Sequence, residues 1–188
     1  MPSSIFWKLM TYYLPWLYGS VFGLDFLTTG TMIAVSRVWD AVSDPVMGLI
    51  SDRTWSRKGK FRPYLIWFSV PLAISAIMMF TTPGADSNRK LWAYTTYMLM
   101  TTFYTAINVP YSAMLGALSR DRHEKTVFAV FRMAFAYAGG FLVLLLWEPL
   151  CNLMGGYSGP GAPAGWQNGM IAVAAIGVLL FAACYMLT

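Results

Sequence analysis

The sequence predicts an all-α integral membrane protein, a bundle of six transmembrane helices, and three observations carry that reading. Hydrophobic residues make up 57% of the 188 and charged residues only 11%, against about 25% charged in an ordinary soluble domain. The mean hydropathy is +0.54, and the charges are clustered: across 64–79, 91–119 and 127–146 only Arg132 is charged. Several of these runs reach the about 20 apolar residues that a helix needs to span a bilayer. A single soluble core does not need so many long apolar runs, so the lipid bilayer is the first partner implied.

Six segments follow in order, and together residues 1–188 form one transmembrane domain. The first covers about 5–24 and contains Pro15. The second covers about 28–50 and contains Arg37, Asp40, Asp44 and Pro45. The third covers 64–82 and is closed by Pro83-Gly84. The fourth, 91–118, is long enough to tilt or protrude. The fifth covers 127–147 and is closed by Glu148-Pro149, and the sixth covers 167–187.

The loops orient the bundle. The 51–62 loop holds Arg53, Arg57, Lys58, Lys60 and Arg62, and the 119–126 loop holds Arg120, Arg122 and Lys125. The opposite side carries only Arg89 and Lys90 around Asp86, and an uncharged Gly/Pro/Ala-rich stretch at 155–165. Basic loops stay in the cytoplasm, so both termini are expected there, in a multi-pass protein of the plasma membrane. The net charge of +5 and pI near 9.3 are explained by these membrane-end residues rather than by nucleic acid. Cys151 lies near a helix end and Cys184 inside an apolar run, which indicates neither a disulfide nor a metal. No secretory signal is visible, and no motif calls for a cofactor. The first helix starts almost at Met1 and the last ends at Thr188, which reads as a piece cut from a longer protein.

The residues that carry chemistry lie in the second, fourth and fifth segments. Asp40 and Asp44 are four apart, so their carboxylates share a helix face one turn apart. An acid at the centre of a spanning helix costs about 2.5–3.5 kcal/mol, and such residues are functional by default. A proton or a metal cation such as sodium between Asp40 and Asp44 would relieve that cost, with Ser43 as a further oxygen donor. Pro45 has no amide to offer the carbonyl of Ala41, which leaves another oxygen free beside the acids. The plainer reading is a structural pair neutralised by Arg37 or Arg132.

In the fourth segment Tyr104, Thr105, Asn108, Tyr111 and Ser112 fall three and four apart, a polar stripe that can face a cavity. Pro110 would kink that helix and free the carbonyl of Ala106. Alternatively these groups simply bond across helices. Arg132 lies deep in the fifth segment and needs a partner, either one of the acids or a polar substrate. The Ala136-x-x-x-Gly140 spacing signals close helix packing. His123 in its charged loop reads as solvated, and Glu148 as interfacial.

Two motifs carry a family resemblance. Residues 40–64, WDAVSDPVMGLISDRTWSRKGKFRPY with its flanking Trp39, resemble the glycoside–pentoside–hexuronide:cation symporters of the major facilitator superfamily. Within them Gly48, Asp52 and Arg53, followed by Arg57, Gly59, Lys60 and Arg62, resemble the superfamily's conformational loop motif. The second match is Ile107-Asn108-Val109-Pro110-Tyr111-Ser112-Ala113, running into Asp121 through Thr126.

The resemblance implies the amino-terminal half of a twelve-helix fold, with a C-terminal bundle absent from this chain. By analogy with the melibiose permease branch, it implies a cation site at Asp40 and Asp44 with the hydroxyl of Thr105, Ser43 standing where that branch has asparagine. It also implies a sugar-like substrate held by Arg132, with Asn108, Tyr104 and Tyr111 alongside. Asn108 and Ser112 replace an acid and an aromatic of that branch, and its acid on the first helix falls near Ser4. Loss of both acids argues against assuming an α-galactoside.

The expected function is therefore symport of a sugar, glycoside or uronide with sodium or a proton by alternating access. Animal relatives with this loop motif move lysolipids, the nearest alternative. A membrane glycosidase using Asp40 and Asp44 as an acid–base pair is disfavoured because no further catalytic group accompanies them. A truncated, inactive fragment is the third reading.

Overall fold

A computed structural model describes residues 2–54, 62–82, 88–117, 121–158 and 162–187. The elements are α1 (Pro2–Trp16), a π-helical turn (Leu17–Val21), α2 (Phe26–Arg53), α3 (Arg62–Met79), α4 (Arg89–Ala117), α5 (Arg122–Met154) and α6 (Ala162–Leu187). No strand occurs among the described residues.

The helix order differs from the expected one mainly at the ends. The first helix stops short of Leu24. Pro15 sits inside α1, and the following turn widens so that the Phe22 amide donates to the Leu17 carbonyl at 3.0 Å. Gly23, at φ +66°, then turns the chain out of the helix, a conformation that glycine adopts without a Cβ clash. The fifth helix is longer than expected at both ends. Its start moves back to Arg122 because the Asp121 carboxylate accepts the His123 amide at 3.2 Å, a side-chain N-cap. The expected stop at Glu148-Pro149 does not occur. A helix interior tolerates one proline when the neighbouring bonds persist, and α5 runs on to Met154. The two positive-φ glycines 155 and 156 end it there, and the Gly156 amide caps the Cys151 carbonyl at 2.8 Å. The sixth helix begins at Ala162 rather than 167, with Pro163 in its first turn, where no intrahelical amide is required. The Pro83-Gly84 stop lies outside the described residues.

Packing follows a ring in which α2 lies on α4, α4 on α3, α3 on α6, α6 on α5 and α5 on α1. α1 also touches α4 and α6. Ile5, Phe6, Leu9, Met10 and Leu14 recur at the three- and four-residue spacing of one helical face and are all buried. Opposite them the core is filled by Leu72, Met79, Phe80, Trp147, Trp166 and Met170. Gly177 lets α6 approach α1 closely: a Cβ there would come within 2.7 Å of Phe6 Cε2. Gly177→Val is expected to destabilise the protein by about 1–3 kcal/mol through overpacking against Phe6, read as a lower melting temperature in detergent.

The outside is apolar. Phe131, Phe135, Phe141, Leu142 and Leu145 on α5, and Val38, Val42, Val46 and Leu49 on α2, are all exposed. Faces of this kind belong against lipid or another protein surface. Among the described residues α5, over His123–Met154, and α6, over Ala162–Met186, are long and apolar enough to cross a membrane. α2 and α4 have 28 and 29 residues, enough length to span hydrocarbon. Their polar residues lower their hydropathy, Arg37, Asp40 and Asp44 on α2 and a Thr/Tyr/Asn-rich face on α4.

Candidate functional site

Three helices converge on one cleft of about 250 Å³. α4 contributes Tyr104, Asn108 and Tyr111, spaced four and three apart and so on one face. α5 contributes Arg132, Met133, Ala136 and Tyr137, and α1 contributes Ser3, Ser4, Trp7 and Lys8. All four residues expected to touch substrate, Tyr104, Asn108, Tyr111 and Arg132, therefore line the same cavity. Arg132 lies over the Tyr111 ring, 5.7 Å from its centroid. Among the described residues no ion pair joins Arg132 to Asp40 or Asp44.

The polar stripe of α4 is split by the packing. Tyr104, Asn108 and Tyr111 face the cleft, Thr105 is buried, and Ser112 is exposed. Among the described residues no hydrogen bond joins Thr105 to either acid. Proline 110 sits within α4, which continues unbroken to Ala117.

The acid pair lies next to the cleft on α2. Asp40 is largely covered, and one oxygen lies 3.7 Å from Arg37 Nη1, a loose contact within one helical turn. The other oxygen, Oδ1, is buried with no hydrogen-bond partner. A buried carboxylate oxygen without a partner is costly, and it is the ligand type that a hard cation takes. Asp44 is exposed on the same helix. The Ser43 hydroxyl donates to the Asp40 backbone carbonyl at 3.4 Å, a long and weak bond. Among the described residues no group of three or more His, Cys, Asp or Glu could hold a metal. A cation here would need hydroxyl or carbonyl oxygens to complete its shell.

A chain of contacts joins acids and cleft. Arg37, which touches Asp40, stacks over the Trp7 ring at 4.9 Å, and Trp7 stacks on Tyr104 with centroids 5.1 Å apart. Tyr104 lies within electrostatic reach of Arg132, Asp44 and Asp40 together. Of the loop motif, Gly48, Asp52 and Arg53 occupy the last turns of α2, and Arg62 opens α3. Arg57, Gly59 and Lys60 lie outside the described residues.

The sequence reading missed Trp7, Lys8 and Tyr137. Lys8 had a visible signal: it is the single charge in 5–24, and an ionisable residue within an apolar helix is a site candidate. Its position depends on Gly140, where a Cβ would lie 2.8 Å from Lys8 Cγ. The small-residue spacing on α5 therefore makes room for the lysine stem.

The family described as MFS/sugar transport protein matches residues 1–188, the whole chain. The chain belongs to this major facilitator family. Its bacterial relatives place it among the glycoside–pentoside–hexuronide:cation symporters. It is 36% identical over 187 residues to the inner membrane symporter YicJ of Escherichia coli, covering 99% of this chain and 40% of that protein. It is 37% identical over 183 residues to the putative glycoside/cation symporter YagG of the same organism, covering 97% and 39%. The isoprimeverose transporter of Lactiplantibacillus pentosus is 31% identical over 179 residues, covering 95% and 37%. A sodium-dependent lysophosphatidylcholine symporter of Danio rerio is more distant, 29% identical over 117 residues and 62% of this chain. The chain spans about two fifths of the length of the bacterial relatives. Members of this family are membrane transporters, not enzymes, which removes the glycosidase reading of Asp40 and Asp44.

Proposed function

We propose that this facilitator-family chain is one six-helix bundle of a symporter that moves a sugar, glycoside or uronide together with sodium or a proton. The observation that carries this reading is the meeting of Tyr104, Asn108, Tyr111 and Arg132 in one cleft, with Asp40, one helical turn from Asp44, joined to it through Arg37 and Trp7. The cation is cargo: Asp40 Oδ1 and Asp44 bind it, with Ser43 and, after a rearrangement, Thr105. The solute lies in the cleft, and a second bundle closes its open side. Rocking of the bundles exposes the cleft to each face of the membrane in turn, with both termini and the loop motif on the cytoplasmic side.

A lysolipid cargo is the weaker alternative, since hydroxyl, amide and cationic groups line the cleft beside Trp7, Met133 and Ala136. The test is uptake of labelled sugars into vesicles holding the natural full-length protein, with an inward sodium gradient, an inward proton gradient, or neither. One gradient is expected to drive accumulation about tenfold or more above equilibrium. Uptake that ignores both gradients overturns the coupling.

A further inference from the structure

Among the described residues, the cleft is lined by two cationic side chains and no carboxylate. Arg132 enters from α5 and Lys8 from α1. Lys8 is held in place rather than trailing into solvent: its stem packs against Gly140, and its ammonium lies 5.0 Å from the Tyr137 ring centroid and 5.4 Å from that of Tyr12. Among the described residues neither Lys8 nor Arg132 lies within ion-pair distance of an acid. Arg37, the third cation nearby, is occupied by Asp40.

Two cations on one cleft, neither within ion-pair distance of an acid among the described residues, leave their charge available to an anion. A neutral sugar offers hydroxyls only, and a site built for hydroxyls alone gains little from a second cation. A sugar carboxylate offers two acceptor oxygens to the guanidinium fork and the ammonium, the stronger, charge-assisted kind of hydrogen bond. The ring hydroxyls would then meet Asn108, Ser3 and Ser4, and the aromatic faces of Trp7 and Tyr104 would cover the ring's apolar side.

We infer that the substrate is an anionic sugar, a uronic acid or uronide, whose carboxylate is gripped between Lys8 and Arg132. This rests on the sugar-symport reading above and narrows it to one class.

The experiment is competition and direct uptake with matched pairs that differ only at C6: glucuronate against glucose, and methyl β-glucuronide against methyl β-glucoside. The wild-type full-length protein in vesicles is expected to prefer the C6 carboxylate by roughly tenfold or more. Lys8→Met is expected to reduce that ratio about tenfold, and Lys8→Arg to retain most of it. A gradient-driven preference for the neutral partners would overturn the inference and leave sugar symport standing. So would a wild-type ratio near one, or a preference for glucose 6-phosphate. Lys8→Met leaving the ratio unchanged would remove Lys8 from the grip. Absence of gradient-driven uptake for every probe would strike the symport reading itself, and this inference with it.

Discussion

Asp44→Asn in the full-length protein is expected to abolish gradient-driven uptake, by about a hundredfold or more, while the protein remains folded. The expectation comes from the contrast between the two acids. Asp44 is exposed on α2 and, among the described residues, has no ion-pair partner, so a purely structural role predicts almost no effect from replacing it. A cation site predicts loss of the second carboxylate ligand and with it the coupled step. Asp40→Asn should fail as well, but it also releases Arg37 from its 3.7 Å contact and is therefore the less clean test. Uptake in sodium and proton gradients, together with the melting temperature of each variant, separates the cases. Full coupled uptake in Asp44→Asn would make the acids structural and return weight to Arg37 as their neutralising partner.

Arg132→Gln is expected to weaken substrate binding by about a hundredfold while leaving stabilisation by the coupling cation alone intact. Arg132 is half-buried in the cleft, and its guanidinium rests on Tyr111 at 5.7 Å. Hydrogen bonds to a charged donor contribute about 1.5–3 kcal/mol each, and a guanidinium can make two in parallel. Glutamine keeps a donor and most of the length but loses the charge and the fork. Arg132→Lys should recover only part of the loss, because a lysine ammonium is a point charge without the planar fork. Substrate affinity is read by titration, and cation binding by the rise in melting temperature with added sodium or falling pH. Loss of both responses would instead mark Arg132 as a packing residue of the α4–α5 contact.

Much of the helical fold was legible because long apolar helices announce themselves by local composition. Long runs with few charges, separated by charged or Gly/Pro-rich stretches, are properties of the sequence alone, and six α-helices follow one another along the described residues. The errors are at ends decided by single hydrogen bonds and backbone conformations. The Asp121 cap lengthened α5 at its start, the glycine pair 155 and 156 ended it beyond Pro149, and the π-helical turn with Gly23 shortened the first helix. A proline in a sequence marks a missing amide. Whether the helix stops there depends on the bonds around it.

The sequence by itself determined the chemistry available: two acids one turn apart, a polar face on α4, and an arginine within an apolar helix. Helical periodicity puts Tyr104, Asn108 and Tyr111 on one face in any structure that α4 can join. Only the tertiary structure decided which helix stands opposite them. Trp7 and Lys8 stand far from Tyr104 in the chain, yet the close approach of α1 to α6 at Gly177 and to α5 at Gly140 sets them into the cleft. That approach depends on the absence of side chains on two distant helices, and no local pattern around Lys8 encodes it. The same packing turned Thr105 inward and Ser112 outward from a stripe that the sequence presents as one surface.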